Sequence, residues 1–148
     1  MIRDRAVTRR ALVAGIIGAP LVLAACGSGG GGPSTSGAPM SRCAQGEAGL
    51  IALYDAAITQ HPDKAFLVTI RAQHQEHLDA FVAAGASATQ GAPTSNVSVK
   101  DLQKAEQSAA DARTQDCIDA GTDAEVARLI ALVAASEAAH AALLGDES

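Results

Sequence analysis

Apolar side chains recur at spacings of three and four residues from about residue 42 almost to the end of the chain. This is the period of amphipathic helices, and it restricts the fold more than any other feature. Strand formers are scarce, with one Tyr, two Phe and no Trp, whereas Ala, the best helix former, occupies 34 of the 148 positions. We therefore predict an all-α domain over residues 42–145, folded as a four-helix bundle.

Breaks in the period and capping signals divide this stretch into four helices of about 20 residues each. The predicted helices span about 43–60, 64–84 and 99–120, and a fourth runs from Thr122 to Gly145. The predicted N-terminal caps are Asp63, Ser98 in a capping box with Asp101, and Thr122 in a capping box with Glu125. The predicted stops are His61-Pro62, Gly85, Gly121 and Gly145.

The first 25 residues have the pattern of an export signal. Four arginines, including Arg9 and Arg10, precede an uncharged apolar run from Ala11 to Ala25, which is short for a membrane span of about 20 residues. The run ends in Leu23-Ala24-Ala25-Cys26, which resembles the lipobox of bacterial lipoproteins. The resemblance implies that the Cys26 thiol is lipidated, with a fatty acid such as palmitate, before cleavage removes residues 1–25 and makes Cys26 the new N-terminus. We expect a lipid-anchored protein on the extracytoplasmic face of a bacterial cell membrane.

The route of export and the tether follow from the neighbouring residues. Thr8-Arg9-Arg10-Ala11-Leu12-Val13 is similar to the twin-arginine motif, whose pathway exports proteins that are already folded. An ordinary basic n-region of a Sec signal is the alternative. Residues 26–41 are predicted to be the lipidated cysteine and a flexible tether, because GSGGGGPSTSGAP (27–39) has no apolar residue large enough to seed a core.

The lengths of the connections predict the order of the helices. About three residues join the first helix to the second and the third to the fourth, so each of these pairs is antiparallel. The thirteen residues 85–97 reach about 43 Å when extended, enough to run the length of a helix of about 30 Å. We therefore expect a long crossover between the second and third helices, and the up-down-down-up order of ferritin-like folds.

The two cysteines that remain after lipidation of Cys26 fit this order. Cys43 lies near the start of the first helix and Cys117 near the end of the third. The two positions meet only if these helices are antiparallel, and thiols outside the membrane usually pair. We expect a Cys43–Cys117 disulfide, worth roughly 4 kcal/mol on the chain-entropy model. Two buried free thiols are the alternative.

Every predicted helix carries at least one ionisable side chain on its apolar stripe, where burial is costly unless the group is paired or binds a metal. These side chains are Glu47, His74, His77, Glu106, Glu137 and His140. Any one of them alone is most often solvated or satisfied within a core, but four such stripes converge in one bundle. Arg113 is a salt-bridge partner within reach of Glu106 or Glu137.

The stripe residues resemble those of a known class. Glu137-Ala138-Ala139-His140 matches the Glu-x-x-His spacing of ferritin-like di-iron carboxylate proteins, which also use one lone Glu from each of two helices. Glu47 and Glu106 can stand for the lone glutamates. His74-Gln75-Glu76-His77 occupies the other slot but departs from it, because His74 replaces Glu.

A narrower resemblance covers about residues 42–145. Residues 70–77 (IRAQHQEH) and 135–140 (ASEAAH) resemble the actinobacterial ferritin-like lipoproteins, a family of uncharacterised function. The resemblance implies a ferritin-like bundle but no particular reaction. Ferroxidase chemistry is disfavoured, because His74 removes a bridging carboxylate.

The rise along each helix separates the six stripe residues into two levels. The predicted clusters are Glu47/His74/His77, roughly 6 to 10 Å above the level of Cys43, and Glu106/Glu137/His140, roughly 16 to 21 Å above it. We therefore expect two separate clusters rather than one dinuclear centre. Each is compatible with one Zn, Fe or Cu ion held by imidazole and carboxylate ligands, and with a metal-free hydrogen-bonded network.

Two functions remain open on the sequence. The first is a lipid-anchored, metal-binding ferritin-like domain, and the second is a non-enzymatic structural or protein-interaction lipoprotein. A hydrolase lacks support, because no Ser or Cys nucleophile lies near a histidine in a recognised motif. The formal net charge of −5 argues against a nucleic-acid partner. The charged, Ala-rich outer faces suit a monomer or a homodimer, and no protein partner is indicated.

Overall fold

The computed structural model describes residues 37–92 and 94–147. These residues form four α-helices and no strand. The helices are α1 (Gly37–Gln60), α2 (Ala65–Ala83), α3 (Val99–Asp119) and α4 (Ala124–Asp146). The predicted all-α class is confirmed, and the described chain is compatible with a four-helix bundle. The predicted signal peptide, with Arg9 and Arg10, the lipidated Cys26 and residues 27–36 of the tether lie outside the described residues.

Several helix ends follow the predicted local chemistry. The Ser98 hydroxyl accepts a hydrogen bond from the amide of Asp101, whose carboxylate accepts from the amide of Ser98, so the predicted capping box of α3 is confirmed. Gly85 and Gly121 follow α2 and α3 with φ of 95° and 61°. This is the left-handed conformation that ends many helices and that glycine adopts at little cost.

Other ends differ by a residue or more. The side chain of Asp123, not Thr122, caps α4 by accepting from the amide of Val126, and α4 continues through Gly145 to Asp146. Before α2 the cap position is Lys64, which makes no side-chain cap, so the predicted capping by Asp63 is wrong. In both cases the cap position lies one residue further along the chain than predicted.

The start of α1 corrects the predicted tether. The helix begins at Gly37 rather than near residue 43, so residues 37–41 are helical. Proline is tolerated in a first turn, where the amide has no intrahelical partner, and Pro39 is buried there. Met40 is only 7% exposed and belongs to an apolar cluster that includes Phe81. Burial of these side chains draws the end of the tether into the domain.

The contacts of α1 with α3 show how these helices are oriented. The contacting side chains are Cys43 with Asp116, Glu47 with Arg113, and Tyr54 with Glu106. Position along α3 falls as position along α1 rises, so the two helices are antiparallel. α1 also packs on α2, and α3 packs on α4.

Two apolar clusters form from opposite ends of the helices. The Phe81 cluster joins the start of α1 to the end of α2 and the start of α4, through Met40, Ala44, Phe81, Val126 and Ile130 among others. The Leu67 cluster joins the end of α1 to the starts of α2 and α3 and the end of α4, through Tyr54, Leu67, Ile70, Leu102 and Leu144 among others. The ionisable stripe residues lie between these clusters along each helix.

The predicted Cys43–Cys117 disulfide is not formed, and both cysteines are free thiols. The Cys43 thiol donates to Asp116 Oδ2 at 3.2 Å, whereas the Cys117 thiol donates to the carbonyl of Ala127 in α4 at 3.5 Å. Successive helical residues point about 100° apart, so α3 directs residue 116 toward α1 and residue 117 toward α4. The two cysteines do pack at the same apolar cluster, as antiparallel α1 and α3 require.

Among the described helices, α4 is long and apolar enough to cross a membrane by length and composition. A core helix of a bundle passes the same test. α4 buries Ile130, Glu137 and His140, and Glu137 and His140 contact charged or polar side chains of the other helices. We therefore describe α4 as a bundle helix.

Candidate metal centre

The six ionisable residues predicted on the apolar stripes all face the inside of the bundle. Five are buried and His77 is partly buried, with 18% of its side chain exposed. α1 contributes Glu47, α2 contributes His74 and His77, α3 contributes Glu106, and α4 contributes Glu137 and His140. Together with Arg113 of α3 they form what we call the polar layer.

His74 lies at the centre of the polar layer and joins α2 to α1 and α3. Its Nδ1 is 2.8 Å from Glu47 Oε2, and its Nε2 is 2.8 Å from Glu106 Oε1. All three side chains are fully buried. Burial alone would lower the pKa of His74, but hydrogen bonds and charge from Glu106 and Glu47 outweigh it and raise this pKa to about 9. At neutral pH His74 is therefore an imidazolium that donates to both carboxylates.

The two carboxylates bonded to His74 remain ionised despite their burial. Burial would raise the pKa of Glu47, but His74 and His77 hold it below its usual range. In the same way His140 and His74 lower the pKa of Glu106 to about 2. The Tyr54 hydroxyl donates to Glu106 Oε1, and burial together with this carboxylate raises the pKa of Tyr54. Tyr54 therefore keeps its proton and acts as a donor.

His77 and His140 both lie beside His74, with ring centroids 5.8 Å and 5.1 Å from its ring and 6.5 Å from each other. Nδ1 of His77 is 3.5 Å from Glu47 Oε2, and Nδ1 of His140 is 3.4 Å from Glu106 Oε1. Neither nitrogen has a hydrogen-bond partner, although both are buried. Followed from contact to contact, imidazoles and carboxylates alternate in one row from His77 through Glu47, His74 and Glu106 to His140. The row curves, so the rings of His77 and His140 at its ends stack on each other.

This row contains two sets of three metal-ligand residues. The Glu47 group consists of Glu47, His74 and His77, and the Glu106 group consists of Glu106, His74 and His140. Within each group, one ligand atom from every residue lies within 4.8 Å of the others. Imidazole with carboxylate is a ligand set that suits Zn, Fe and Cu.

The two groups share His74, in contrast to the separate clusters that the sequence predicted. The structure retains the predicted difference in level between the two glutamates. Glu47 lies opposite Arg113, and Glu106 lies seven residues before Arg113 in α3, which is about 10 Å along the helix axis. The His74 ring spans this difference, because its two nitrogens lie on opposite edges and reach one carboxylate each. Backbone heights alone could not anticipate such a bridge.

Glu137 is placed apart from the Glu106 group and pairs with Arg113. Nη2 of Arg113 is 3.1 Å from Glu137 Oε1 and 3.2 Å from Glu47 Oε1, and all three side chains are almost fully buried. Burial raises the pKa of Glu137 to about 8, although the charge of Arg113 opposes this. A Cβ on Gly46 would lie 2.6 Å from Arg113 Nη2, so this glycine provides the space for the guanidinium.

Sequence reasoning anticipated part of this network. The predicted contact of Arg113 with Glu137 is present, its contact with Glu106 is not, and its contact with Glu47 was not anticipated. Asp116, which accepts from Arg42 at 2.8 Å, was also missed. Its signal was its position three residues after Arg113, on the same helix face.

Gln73 and Tyr54 complete the site at its Glu106 end. Oε1 of Gln73 is 2.7 Å from His140 Nε2, and no periodicity marked this residue, which lies off the stripe of α2. Tyr54 lies on the buried face of α1, but nothing local in the sequence indicates that its hydroxyl donates to Glu106. Such contacts depend on which helices become neighbours.

No protein-family model, no curated protein and no solved structure matches the chain. The resemblance to ferritin-like lipoproteins therefore remains a prediction from the motifs, and the site is described from its own residues.

Proposed function

We propose that this protein binds a divalent transition-metal ion in the polar layer of an extracytoplasmic, lipid-anchored domain. The observation that carries the proposal is the pair of imidazole–carboxylate groups that share His74, each with three ligand atoms within 4.8 Å of one another. Zn, Fe and Cu are the metals that this ligand set suits. We assign the domain no reaction.

Buried polar atoms without partners support metal binding. Nδ1 of His77, Nδ1 of His140 and Oε2 of Glu106 are buried and form no hydrogen bond. Such atoms are rare in folded proteins, because an unpaired buried polar group costs about 1–3 kcal/mol. All three belong to the two candidate groups, and a metal ion in either group would give the atoms of that group a partner. The other buried atoms without a hydrogen bond, Arg113 Nε and the two carboxylate oxygens of Glu137, lie outside both groups.

The proposed architecture is the ferritin-like up-down-down-up bundle. The antiparallel contacts of α1 with α3 support it, because α2 is antiparallel to α1 when a short turn joins them. α2 and α3 then run in the same direction, and residues 84–98 must return along the bundle. The apolar clusters support the same order, since each combines the ends of α1, α2 and α4 that this order brings together.

The proposed location, at the outer face of the cell membrane, depends on the N-terminal residues. The basic start, the apolar run and Cys26 support a lipid anchor at the outer face of the membrane. Because α1 begins at Gly37, only residues 27–36 of the predicted tether precede the described domain. Export by the twin-arginine route through Arg9 and Arg10 would allow the metal to be loaded before secretion.

A second candidate function is a structural or protein-interaction lipoprotein whose polar layer holds no metal. The observation that favours it is that His74 is bonded at both ring nitrogens and Arg113 lies between Glu47 and Glu137. These ion pairs balance the charge of the buried carboxylates without a metal. A network of this kind contributes mainly to the specificity of helix packing.

Elemental analysis of the lipidated protein, purified in detergent, tests the proposal. We expect close to one equivalent of Zn, Fe or Cu, lost in His74→Ala and retained in the matched control His61→Ala. His61 is the one histidine of the chain outside both groups. Circular dichroism checks that the variants are folded.

A second readout is the melting temperature with metal and with a chelator. At a free metal concentration 1,000 times Kd, binding stabilises the folded state by about 4 kcal/mol, so the chelator should lower Tm by several degrees. A folded wild type that contains no metal and whose Tm is insensitive to both treatments would contradict metal binding and favour the second candidate function.

A further inference from the structure

The two candidate groups depend on opposite nitrogens of one imidazole. Nδ1 of His74 faces Glu47, and Nε2 faces Glu106, each at 2.8 Å. A neutral imidazole has one nitrogen with a free lone pair and one that carries a proton. A metal ion at either group takes the lone pair of the nearer nitrogen, and the other nitrogen keeps its proton.

In each arrangement, the carboxylate that does not bind the ion accepts the remaining ring proton of His74. With the ion bound to Nδ1 of His74 beside Glu47, the Nε2 proton is donated to Glu106. With the ion bound to Nε2 beside Glu106, the Nδ1 proton is donated to Glu47. A histidine that ligates a metal almost always donates its other ring proton to such a partner, which fixes its tautomer and orientation. The same two carboxylates therefore exchange the roles of ligand and outer-shell acceptor.

Charge also favours a single ion. One divalent ion with a neutral His74 is balanced by the two carboxylates, Glu47 and Glu106. A second divalent ion would add two positive charges. Besides the last ring proton of His74, the one further source of negative charge in the polar layer is Glu137, which already faces Arg113 at 3.1 Å. Arg113 already places a cation 3.2 Å from Glu47 in this buried layer. Uncompensated buried charge is strongly destabilising.

We propose that the Glu47 group and the Glu106 group are alternative positions for one divalent metal ion, which His74 presents through Nδ1 or through Nε2 but not through both at once. In the first position His77 completes the ligand set, and in the second His140 does so. Movement of the ion from one position to the other transfers one ring proton of His74 in the opposite direction, so charge is conserved. This alternation of positions rests on the proposed metal binding, and the test below can disprove the alternation without disproving metal binding.

The test is a Co²⁺ titration of the detergent-purified, metal-depleted full-length mature lipoprotein, followed by visible absorption and by elemental analysis. The variants are His77→Ala, His140→Ala, the double variant and the control His61→Ala. Wild type and control should bind one equivalent. Each single variant should also bind one equivalent, with Kd raised by about two-fold if the positions are equally populated.

The double variant should bind Co²⁺ more than about 100-fold more weakly, because both positions have lost a ligand.

Two equivalents in the wild type would overturn the alternation and leave metal binding intact. Loss of binding in one single variant would overturn it in favour of one fixed site, and loss in both would mean one site that needs both histidines. Unchanged binding in the double variant would place the ion elsewhere. No binding by the folded wild type would overturn the proposed function itself.

Discussion

The two apolar clusters and the polar layer between them are both buried, apart from the partly exposed His77, but different forces stabilise them. Leu67 and Leu102 are fully buried, and their contribution scales with the apolar area removed from water, about 25 cal/mol per Å². His74 is just as buried, but it contributes through bonds at two defined atoms. An apolar side chain of similar volume can replace a leucine, whereas loss of His74 removes the cation that pairs with both Glu47 and Glu106. Glu47 then keeps Arg113 as an ion-pair partner, and Glu106 keeps the Tyr54 hydroxyl. Burial alone therefore does not indicate how replaceable a side chain is.

The largest expected effect separates these regions directly. We expect His74→Ala to lower the free energy of unfolding of the metal-free protein by about 3–5 kcal/mol, because it breaks two buried ion pairs. The matched substitution Leu67→Ala should cost about 2–5 kcal/mol through the cavity it leaves. Urea unfolding followed by circular dichroism, with chelator present, measures both.

The expected losses of stability in His74→Ala and Leu67→Ala overlap in magnitude, but they differ in how they respond to pH. The cost of His74→Ala should shrink as pH rises through about 9, where wild-type His74 loses its proton. The cost of Leu67→Ala should stay constant over the same range. Equal pH responses of the two variants would show that the polar layer is stabilised by packing, as the apolar clusters are.

The second prediction concerns the pH dependence of the metal-free wild type. Folding raises the pKa of His74 from 6.5 to about 9, so its stabilising contribution is complete below pH 6.5 and is lost as pH rises through 9. Folding raises the pKa of Glu137 from 4.5 to about 8, so stability also falls as pH rises from 4.5 through 8. Between pH 6.5 and 9.5 we expect His74 to contribute a loss on the order of 3 kcal/mol, to which Glu137 adds on the order of 2 kcal/mol below pH 8, measured by urea unfolding with chelator.

Glu137→Gln separates the two contributions to this slope. Because glutamine does not titrate, the variant should lose less stability than the wild type between pH 5 and 8. Its loss between pH 8 and 9.5, which comes from His74, should be unchanged. A wild-type stability that rises with pH over this range would contradict the assigned charges of the polar layer.

The smallest expected effect tests the space reserved for Arg113. In Gly46→Ala the new Cβ would lie 2.6 Å from Arg113 Nη2, so the guanidinium must move away from Glu47 and Glu137. We expect a loss of about 1–3 kcal/mol, typical of overpacking in a core.

Gly49→Ala in the same helix is the matched control for this substitution. Apart from its chain neighbours and the nearby backbone of α1, no heavy atom lies within 4 Å of the Cβ that it would introduce, so it should stabilise α1 by up to about 1 kcal/mol. Thermal unfolding of both variants measures the difference. Similar shifts in Tm would mean that Arg113 adjusts without loss and that its position in the polar layer is not constrained.

Some features of this protein are determined by the sequence itself, because their causes act within one helix. The period of three and four residues predicts the helices, Ser98 and Asp101 predict the start of α3, and Gly85 and Gly121 predict two helix ends. The ionisable stripe residues could be identified for the same reason, since a position on a helix face depends on spacing alone.

The tertiary structure decided which of these residues contact one another. On α3 it is Asp116, not the next residue Cys117, that faces Cys43. Cys43 therefore forms a hydrogen bond with Asp116 instead of the expected disulfide with Cys117. The ring of His74 joins Glu47 to Glu106 across a difference in level that separates their backbones. Side-chain direction turns about 100° per residue, and sequence signals place helix ends only to within a few residues. Contacts between helices therefore depend on packing that no single helix contains.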